Sequence, residues 1–296
     1  MTHLVVARGV ERGIERFSKL MMPLLLLIIV MLTCCSLSMP GAGEGLGYLL
    51  RPDFGKVTPG VVVSALGQAF FSLSVGVGCL TTYASYFSRE TNLVRSAVGV
   101  CAIDSVVAVL AGFIIFPAVF SVKGVSVDAG PGLVFITLPS VFNSAFGGLP
   151  ALSYVFSCLF YVLLLLAALT STISMHEIAT AFIREQFGLG RRKAATLVTA
   201  VCMVLGAACS LSFGPWSGVR VLGMGFFDLF DFLTAKYIMP LGGLAITVFV
   251  GWWLNRSIVR DELSVSSLGL SLLLFLIRWV APVGVGVIFV SQLIYS

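Results

Sequence analysis

Charged side chains are scarce in this sequence. Lys, Arg, Asp and Glu together form 10% of the 296 residues, against 58% hydrophobic, whereas a water-soluble domain carries about 25% charged residues. A chain this poor in charge cannot cover a water-facing surface, so an ordinary soluble domain is excluded. Histidine is almost absent, at two residues. Cys34, Cys35, Cys79, Cys101, Cys158, Cys202 and Cys209 all fall in apolar stretches, form no CxxC pair and join no His/Cys cluster of metal-ligand spacing. They read as small apolar helix residues. There is no nucleophile–base or phosphate-loop motif, so neither an enzyme nor an organic cofactor is expected. No cleavable signal peptide is visible, because the first apolar run follows Arg8, Glu11, Arg12, Glu15, Arg16 and Lys19 and has no small-residue cleavage site after it. The net charge of +5 is not gathered into a patch. Basic residues lie in short loops between apolar runs, the pattern of topology signals, and nucleic acid is not expected as a partner.

Long apolar runs are what the sequence has in abundance. A helix needs roughly 20 apolar residues to cross a hydrocarbon core of about 30 Å. Seven spans are expected, at residues 20–38, 61–87, 93–119, 151–183, 194–213, 222–254 and 268–294. The fold class is therefore an all-α polytopic membrane protein. It forms a single transmembrane domain over 1–296 in the lipid bilayer, with 1–19 a cytoplasmic segment leading into the first span. Connections are short except 39–60 and 120–150, both rich in Gly and Pro and both expected on the outside. The second holds the apolar stretch Leu133–Leu138, which a wholly solvated loop would not need, and reads as a folded cap. With a cytoplasmic N-terminus, the inside segments hold Arg8, Arg12, Arg16, Lys19, Arg89, Arg95, Arg184, Arg191, Arg192, Lys193, Arg256 and Arg260. The outside segments hold Arg51, Lys56, Lys123 and Arg220. Twelve against four is a positive-inside bias, and it puts the C-terminus outside.

Polar residues inside these spans mark the candidate site. Ser72-Leu73-Ser74-Val75-Gly76-Val77-Gly78 interrupts the second span with two serines and two glycines. An unwound segment survives in lipid only where protein or a cavity supplies partners, and discontinuous helices point to a transporter's binding site. A straight helix with small residues for close packing is the competing reading. Asp104 lies mid-span, where a carboxylate is strongly disfavoured and is by default a functional residue; a neutral, hydrogen-bonded acid inside the bundle is its alternative. Ala167, Thr170 and Ser171, spaced i, i+3, i+4, share one helical stripe. They present hydroxyls and a carbonyl, which suit a small hard cation, although such hydroxyls also commonly bond the preceding turn. Asp228 and Asp231 share a face near the outer end of the sixth span, with Lys236 near enough to pair with Asp231 or to line a wet vestibule. His176 and Glu177 follow the hydroxyl stripe and either line an inner path or pair with another helix.

Several of these segments are familiar in order. Gly67-Gln68-Ala69-Phe70-Phe71-Ser72-Leu73-Ser74, continuing through Gly76 and Gly78 to Tyr83-Ala84-Ser85-Tyr86, resembles the sixth helix of the neurotransmitter:sodium symporter family. Ala168-Leu169-Thr170-Ser171-Thr172-Ile173-Ser174 resembles its eighth helix. Phe135-Ile136-Thr137-Leu138-Pro139 resembles the outer-loop motif before that helix, and Gly9-Val10-Glu11-Arg12-Gly13-Ile14-Glu15-Arg16 the cytoplasmic approach to the fifth. The resemblance implies the LeuT fold, two inverted repeats holding substrate and sodium between them. It implies helices five to eleven only, with the second repeat complete and most of the first absent. It also implies the bacterial type and hence a bacterial inner or plasma membrane.

By the same resemblance the coupling ion is Na+. Ala167, Thr170 and Ser171 would form one sodium site, and Ser72 and Asp104 would contribute to the other. Relatives often carry Asn at the Asp104 position and add chloride, so a fixed carboxylate there implies a chloride-independent cycle. Phe70, Phe71, Ser74, Val77, Ser171 and Met175 would contact an amino acid or related small zwitterion, and Phe71 and Asp231 would form the outer gate. The family's first and third helices, which supply the rest of both sites and the gate arginine, have no counterpart in these residues. A symporter is therefore expected either to be split, with a separate chain carrying helices one to four, or to be longer than these residues, which then begin at an internal start. Other readings are a truncated relic without transport and, more weakly, an oligomeric channel with Asp104 ringing a pore.

Overall fold

The computed structural model describes residues 1–88, 90–122, 138–145, 150–263 and 267–294. The cap read at Leu133–Leu138 and the motif at Phe135–Pro139 therefore lie, apart from Leu138 and Pro139, outside the described residues. The described chain is helical: α1 (Thr2–Ala7), α2 (Arg16–Ser36), α3 (Ala42–Leu50), α4 (Pro59–Ser72), α5 (Cys79–Ala84), α6 (Leu93–Phe120), α7 (Leu138–Ala145), α8 (Pro150–Phe187), α9 (Arg191–Ser212), α10 (Phe226–Leu233), α11 (Met239–Val248), α12 (Arg256–Leu263), α13 (Ser267–Phe275) and α14 (Ala281–Ile294). Short π-helical stretches join some of these end to end. Among the described residues, six continuous runs are long and apolar enough to cross a membrane: Val10–Ser36, Leu93–Phe120, Pro150–Phe187, Arg191–Ser212, Phe226–Trp253 and Leu268–Leu293. Residues 61–87, expected as one interrupted span, contain the shorter apolar helix α4, a turn and then α5.

Residues 39–60, expected as a loop, contain α3. Gly45 shows what a glycine does in that helix. A Cβ on Gly45 would stand 2.6 Å from the main chain of Phe116 and Pro117, so α3 lies directly on the backbone of α6, and only glycine allows that approach.

The chain divides into two compact units. The first comprises Met1–Phe54 and Ala102–Ile173. Its core gathers Ile28, Ile29 and Leu32 of α2, Ile114 and Ala118 of α6, Phe142 of α7, and Phe156, Phe160 and Leu163 of α8. Phe142 meets Phe156 and Phe160 edge-on, with ring centroids 4.8 and 5.1 Å away. Buried hydroxyls add direction to this apolar contact. Ser36 donates to the Ile114 carbonyl at 2.8 Å, and Thr33 to the Ile29 carbonyl at 2.8 Å. Pro117 interrupts the α6 ladder because it has no N–H; Ser121 Oγ then donates to the Pro117 carbonyl at 2.7 Å and accepts from the Gly41 N–H at 2.9 Å.

The second unit comprises Gly55–Cys101 and Ser174–Ser296. In it α4 and α11 both pack on α14, and α9 on α10. Helix α4 starts where Thr58 Oγ1 accepts from the Val61 N–H at 3.4 Å and Pro59 occupies the first turn, a strong start signal. A π-helical turn, Thr234–Ile238, precedes α11, and the Met239 N–H reaches back to the Thr234 carbonyl. The wider turn lets the helix carry on through Pro240, which lacks an N–H. Arg278, a cation inside the last span, donates its Nε–H to the Gly251 carbonyl.

Candidate functional site

The broken segment is the centre of the candidate site in the second unit. Helix α4 ends at Ser72, and the chain turns through residues 73–78 before α5 starts at Cys79. Three residues of the turn have positive φ: Ser74 at 51°, Gly76 at 88° and Gly78 at 87°. Glycine adopts this region freely, whereas a serine there is uncommon and is held by its surroundings. The turn is closed by the Ser74 N–H to the Phe71 carbonyl at 3.0 Å and the Val75 N–H to the Phe70 carbonyl at 3.1 Å. On the far side the Gly78 carbonyl accepts from Thr81 Oγ1 at 2.8 Å and from Thr82 Oγ1 at 2.9 Å. The same oxygen accepts the Thr82 N–H at 2.9 Å, so the threonine hydroxyls add to the first main-chain bond of α5 and fix its start against the turn.

Two tyrosines fasten α5 to α8. Tyr83 donates to Ser174 Oγ at 2.9 Å and Tyr86 to Glu177 Oε1 at 2.8 Å. Ser174 and Glu177, three residues apart, share one face of α8; Tyr83 meets it from α5 and Tyr86 from the turn that follows α5. Glu177 is wholly buried, and its second oxygen, Oε2, accepts from Arg191 Nη2 of α9 at 2.5 Å. His176 bridges the same two helices, with Nε2 2.8 Å from Thr199 Oγ1 and Nδ1 3.0 Å from Thr180 Oγ1. Of the alternatives for His176 and Glu177, pairing with another helix is therefore present. The part of Tyr86 and Arg191 in this cluster was not legible in the sequence, since it depends on three helices meeting.

A cavity of about 700 Å³ opens among α4, the π-helical turn before α11 and α14. Ser64, Gln68 and Phe71 line it from α4, Lys236 from the turn, and Ser291 and Gln292 from α14. The Lys236 ammonium also stands 4.9 Å from the centre of the Phe232 ring, a cation–π contact. Gln292 Oε1 is buried there without a hydrogen-bond partner. Phe71 is 55% exposed, so a residue expected to cover a substrate stands open in this unit. Ser74 and Val77 are half-buried in the turn, while Met175 of α8 and Asp231 of α10 are exposed.

Of the expected sodium ligands, Asp104, Ala167, Thr170 and Ser171 lie in the first unit. Thr170 Oγ1 donates to the Ala167 carbonyl at 2.8 Å, so two of the three hydroxyl-stripe oxygens are already side by side on α8. That bond is also how a threonine in an apolar helix ordinarily satisfies itself. Ser171 is exposed on the next position and Asp104 is half-buried on α6. Ser72, expected to share a sodium ion with Asp104, is exposed at the end of α4 in the second unit.

Comparison with known proteins agrees with this architecture. The model of the Sodium:neurotransmitter symporter family matches residues 1–296. The chain is 40% identical over 296 residues to the uncharacterized sodium-dependent transporter YhdH of Bacillus subtilis, a match covering 98% of this chain and 64% of that one. It is 35% identical to an uncharacterized sodium-dependent transporter of Haemophilus influenzae, covering 99% of this chain and 63% of the relative. The crystal structure of MhsT in complex with L-phenylalanine superposes with a TM-score of 0.85 at 39% identity, over 98% of this chain and 65% of MhsT. The chain thus spans slightly under two thirds of the length of the relatives it matches. Those relatives are transporters rather than enzymes, and their likeness gives no support to a separate partner chain. The fold is that of an all-α, polytopic membrane protein of LeuT type, and the chain belongs to the sodium:neurotransmitter symporter family.

Proposed function

We propose that this chain works in a sodium-coupled symporter of amino acids or related small zwitterions, by alternating access and without chloride. The observation that carries the reading is the broken segment at Ser72–Gly78, where hydroxyls and main-chain groups stand outside a regular helix between α4 and α5. Support for sodium comes from the named function of the bacterial relatives, and support for an amino acid from the L-phenylalanine bound to MhsT.

In this reading the Ala167 carbonyl and the Thr170 and Ser171 hydroxyls hold one sodium ion, all hard oxygen donors. Ser72 and Asp104 contribute to a second, and the Asp104 carboxylate supplies the counter-charge that chloride would otherwise bring. Phe70, Phe71, Ser74, Val77, Ser171 and Met175 contact the substrate. Phe71 and Asp231 belong to the outer gate, with the cavity beside Phe71 and Lys236 as part of its vestibule. Sodium and substrate are coupled because both complete the same state, so each raises the other's affinity by the same factor. The bias of basic residues supports a cytoplasmic N-terminus and an outward C-terminus in a bacterial plasma membrane.

The test is uptake of labelled L-phenylalanine by the full-length protein in proteoliposomes. Accumulation driven by a sodium gradient, absent with potassium and undiminished when gluconate replaces chloride, is the expected result. Accumulation that ignores sodium rejects the coupling, and loss with gluconate rejects chloride independence.

A further inference from the structure

We infer that Gly242 and Gly243 of α11 are positioning residues for the broken segment: Gly242 seats its main chain and Gly243 sets the ring of Phe70. The inference rests on the symporter reading and adds to it two residues that are not among the proposed ligand contacts.

The contact is made in both directions. A Cβ on Gly76 would stand 2.2 Å from the Met239 carbonyl oxygen and 2.7 Å from the Gly243 nitrogen, and a Cβ on Gly242 would stand 2.3 Å from the Gly76 carbonyl oxygen. Real Cβ contacts do not occur below 3.0 Å, and these obstacles are main-chain atoms, which no rotamer can remove. The turn of the broken segment and α11 therefore meet backbone to backbone. Gly76 also needs its positive φ of 88°, so two separate constraints hold glycine at that position.

Gly243 meets something different. A Cβ there would stand 2.7 Å from Phe70 Cζ and 3.0 Å from Cε2, the outer edge of a ring that can turn about its own bonds. The Phe70 carbonyl accepts the Val75 N–H that closes the turn, so ring and turn form one piece. Two glycines adjacent in sequence thus support the same segment through contacts of unlike stiffness. General close packing of small residues between membrane helices would not distinguish them.

The difference is testable with two double-mutant cycles in the full-length transporter. The readouts are the thermal midpoint in detergent and the kinetics of sodium-driven L-phenylalanine uptake in proteoliposomes. Gly243→Ala in the wild-type background pushes the Phe70 ring, and a displaced contact residue should raise the KM about tenfold while the maximal rate is kept. In the Phe70→Leu background the same change should leave both KM and midpoint where Phe70→Leu alone puts them. Gly242→Ala should lower the midpoint and cut the maximal rate about tenfold in both backgrounds, because shortening Phe70 frees no main-chain atom. The inference is overturned if Phe70→Leu relieves both glycine variants equally, if it relieves neither, or if neither variant changes midpoint or uptake. Should the wild-type protein show no sodium-driven uptake of L-phenylalanine, the symporter reading for this substrate fails. The midpoint cycles then decide the seat alone: coupling of Phe70 to Gly243 but not to Gly242 supports it, and equal coupling overturns it.

Discussion

Removing the cation from Glu177 should weaken the second unit more than any single hydrogen-bond deletion around it. The Glu177 carboxylate has no exposed surface; Oε1 accepts from the Tyr86 hydroxyl at 2.8 Å and Oε2 from Arg191 Nη2 at 2.5 Å. Arg191→Met keeps an apolar stem but strips the buried carboxylate of its counter-charge. Breaking one side of a buried ion pair costs about 3–5 kcal/mol. The Arg191 side chain retains 17% exposure, which sets the expectation near the lower end, about 3 kcal/mol. Tyr86→Phe leaves the ion pair and deletes one hydrogen bond to a charged acceptor, about 1.5 kcal/mol. Tyr83→Phe deletes a neutral bond to Ser174, about 1 kcal/mol. Arg191→Met and Tyr86→Phe act on one carboxylate, so together they should depart from additivity by more than about 0.5 kcal/mol. Glu177→Leu combined with Arg191→Met should recover much of the loss, since apolar replacement of a buried pair is often neutral. The assay is reversible unfolding of the purified full-length protein in detergent. The reasoning is refuted if Arg191→Met lies within about 0.5 kcal/mol of wild type, or if the combined apolar variant is less stable than Arg191→Met alone.

Other consequences concern the ion ligands and the turn. Asp104→Ala should abolish sodium-driven uptake in the full-length transporter; uptake that persists unchanged removes Asp104 from the sodium site. Thr170→Ala with Ser171→Ala should raise the sodium concentration for half-maximal uptake without abolishing transport at saturating sodium, and an unshifted sodium curve rejects that site. Gly76→Ala and Gly78→Ala both place a side chain at a φ near 90°, yet only Gly76 is obstructed, since the nearest atom to a Cβ on Gly78 is 3.7 Å away. Gly78→Ala should lose about 1–2 kcal/mol from strain alone. Gly76→Ala should lose clearly more, and equal midpoints for the two would contradict the main-chain contact with α11.

Membrane character, the apolar runs and the interruption in the second span were legible in the sequence because each is a local property. Twenty apolar residues in succession, or two glycines and two serines inside such a run, constrain the chain wherever it sits. The hydroxyl stripe was legible for the same reason, since i, i+3 and i+4 spacing alone puts Ala167, Thr170 and Ser171 on one side of α8. The helix at Ala42–Leu50 was not, because its glycines signal a loop until the backbone of α6 is there to meet Gly45.

Tertiary structure alone decided which of the chemically capable residues meet. Glu177, Tyr86 and Arg191 are more than a hundred residues apart from first to last, and nothing local says that one carboxylate will take both partners. The pairing follows from burial: a charge carried out of water must find its complement on whatever helices surround it. Gly242 and Gly243 likewise look like ordinary small residues of a membrane helix until Gly76 and Phe70 lie against them. The sequence by itself determined that the chain crosses a membrane and where one helix breaks. What the break rests on was decided only by the packing of helices distant in sequence, because close contact is a property of two surfaces and not of one.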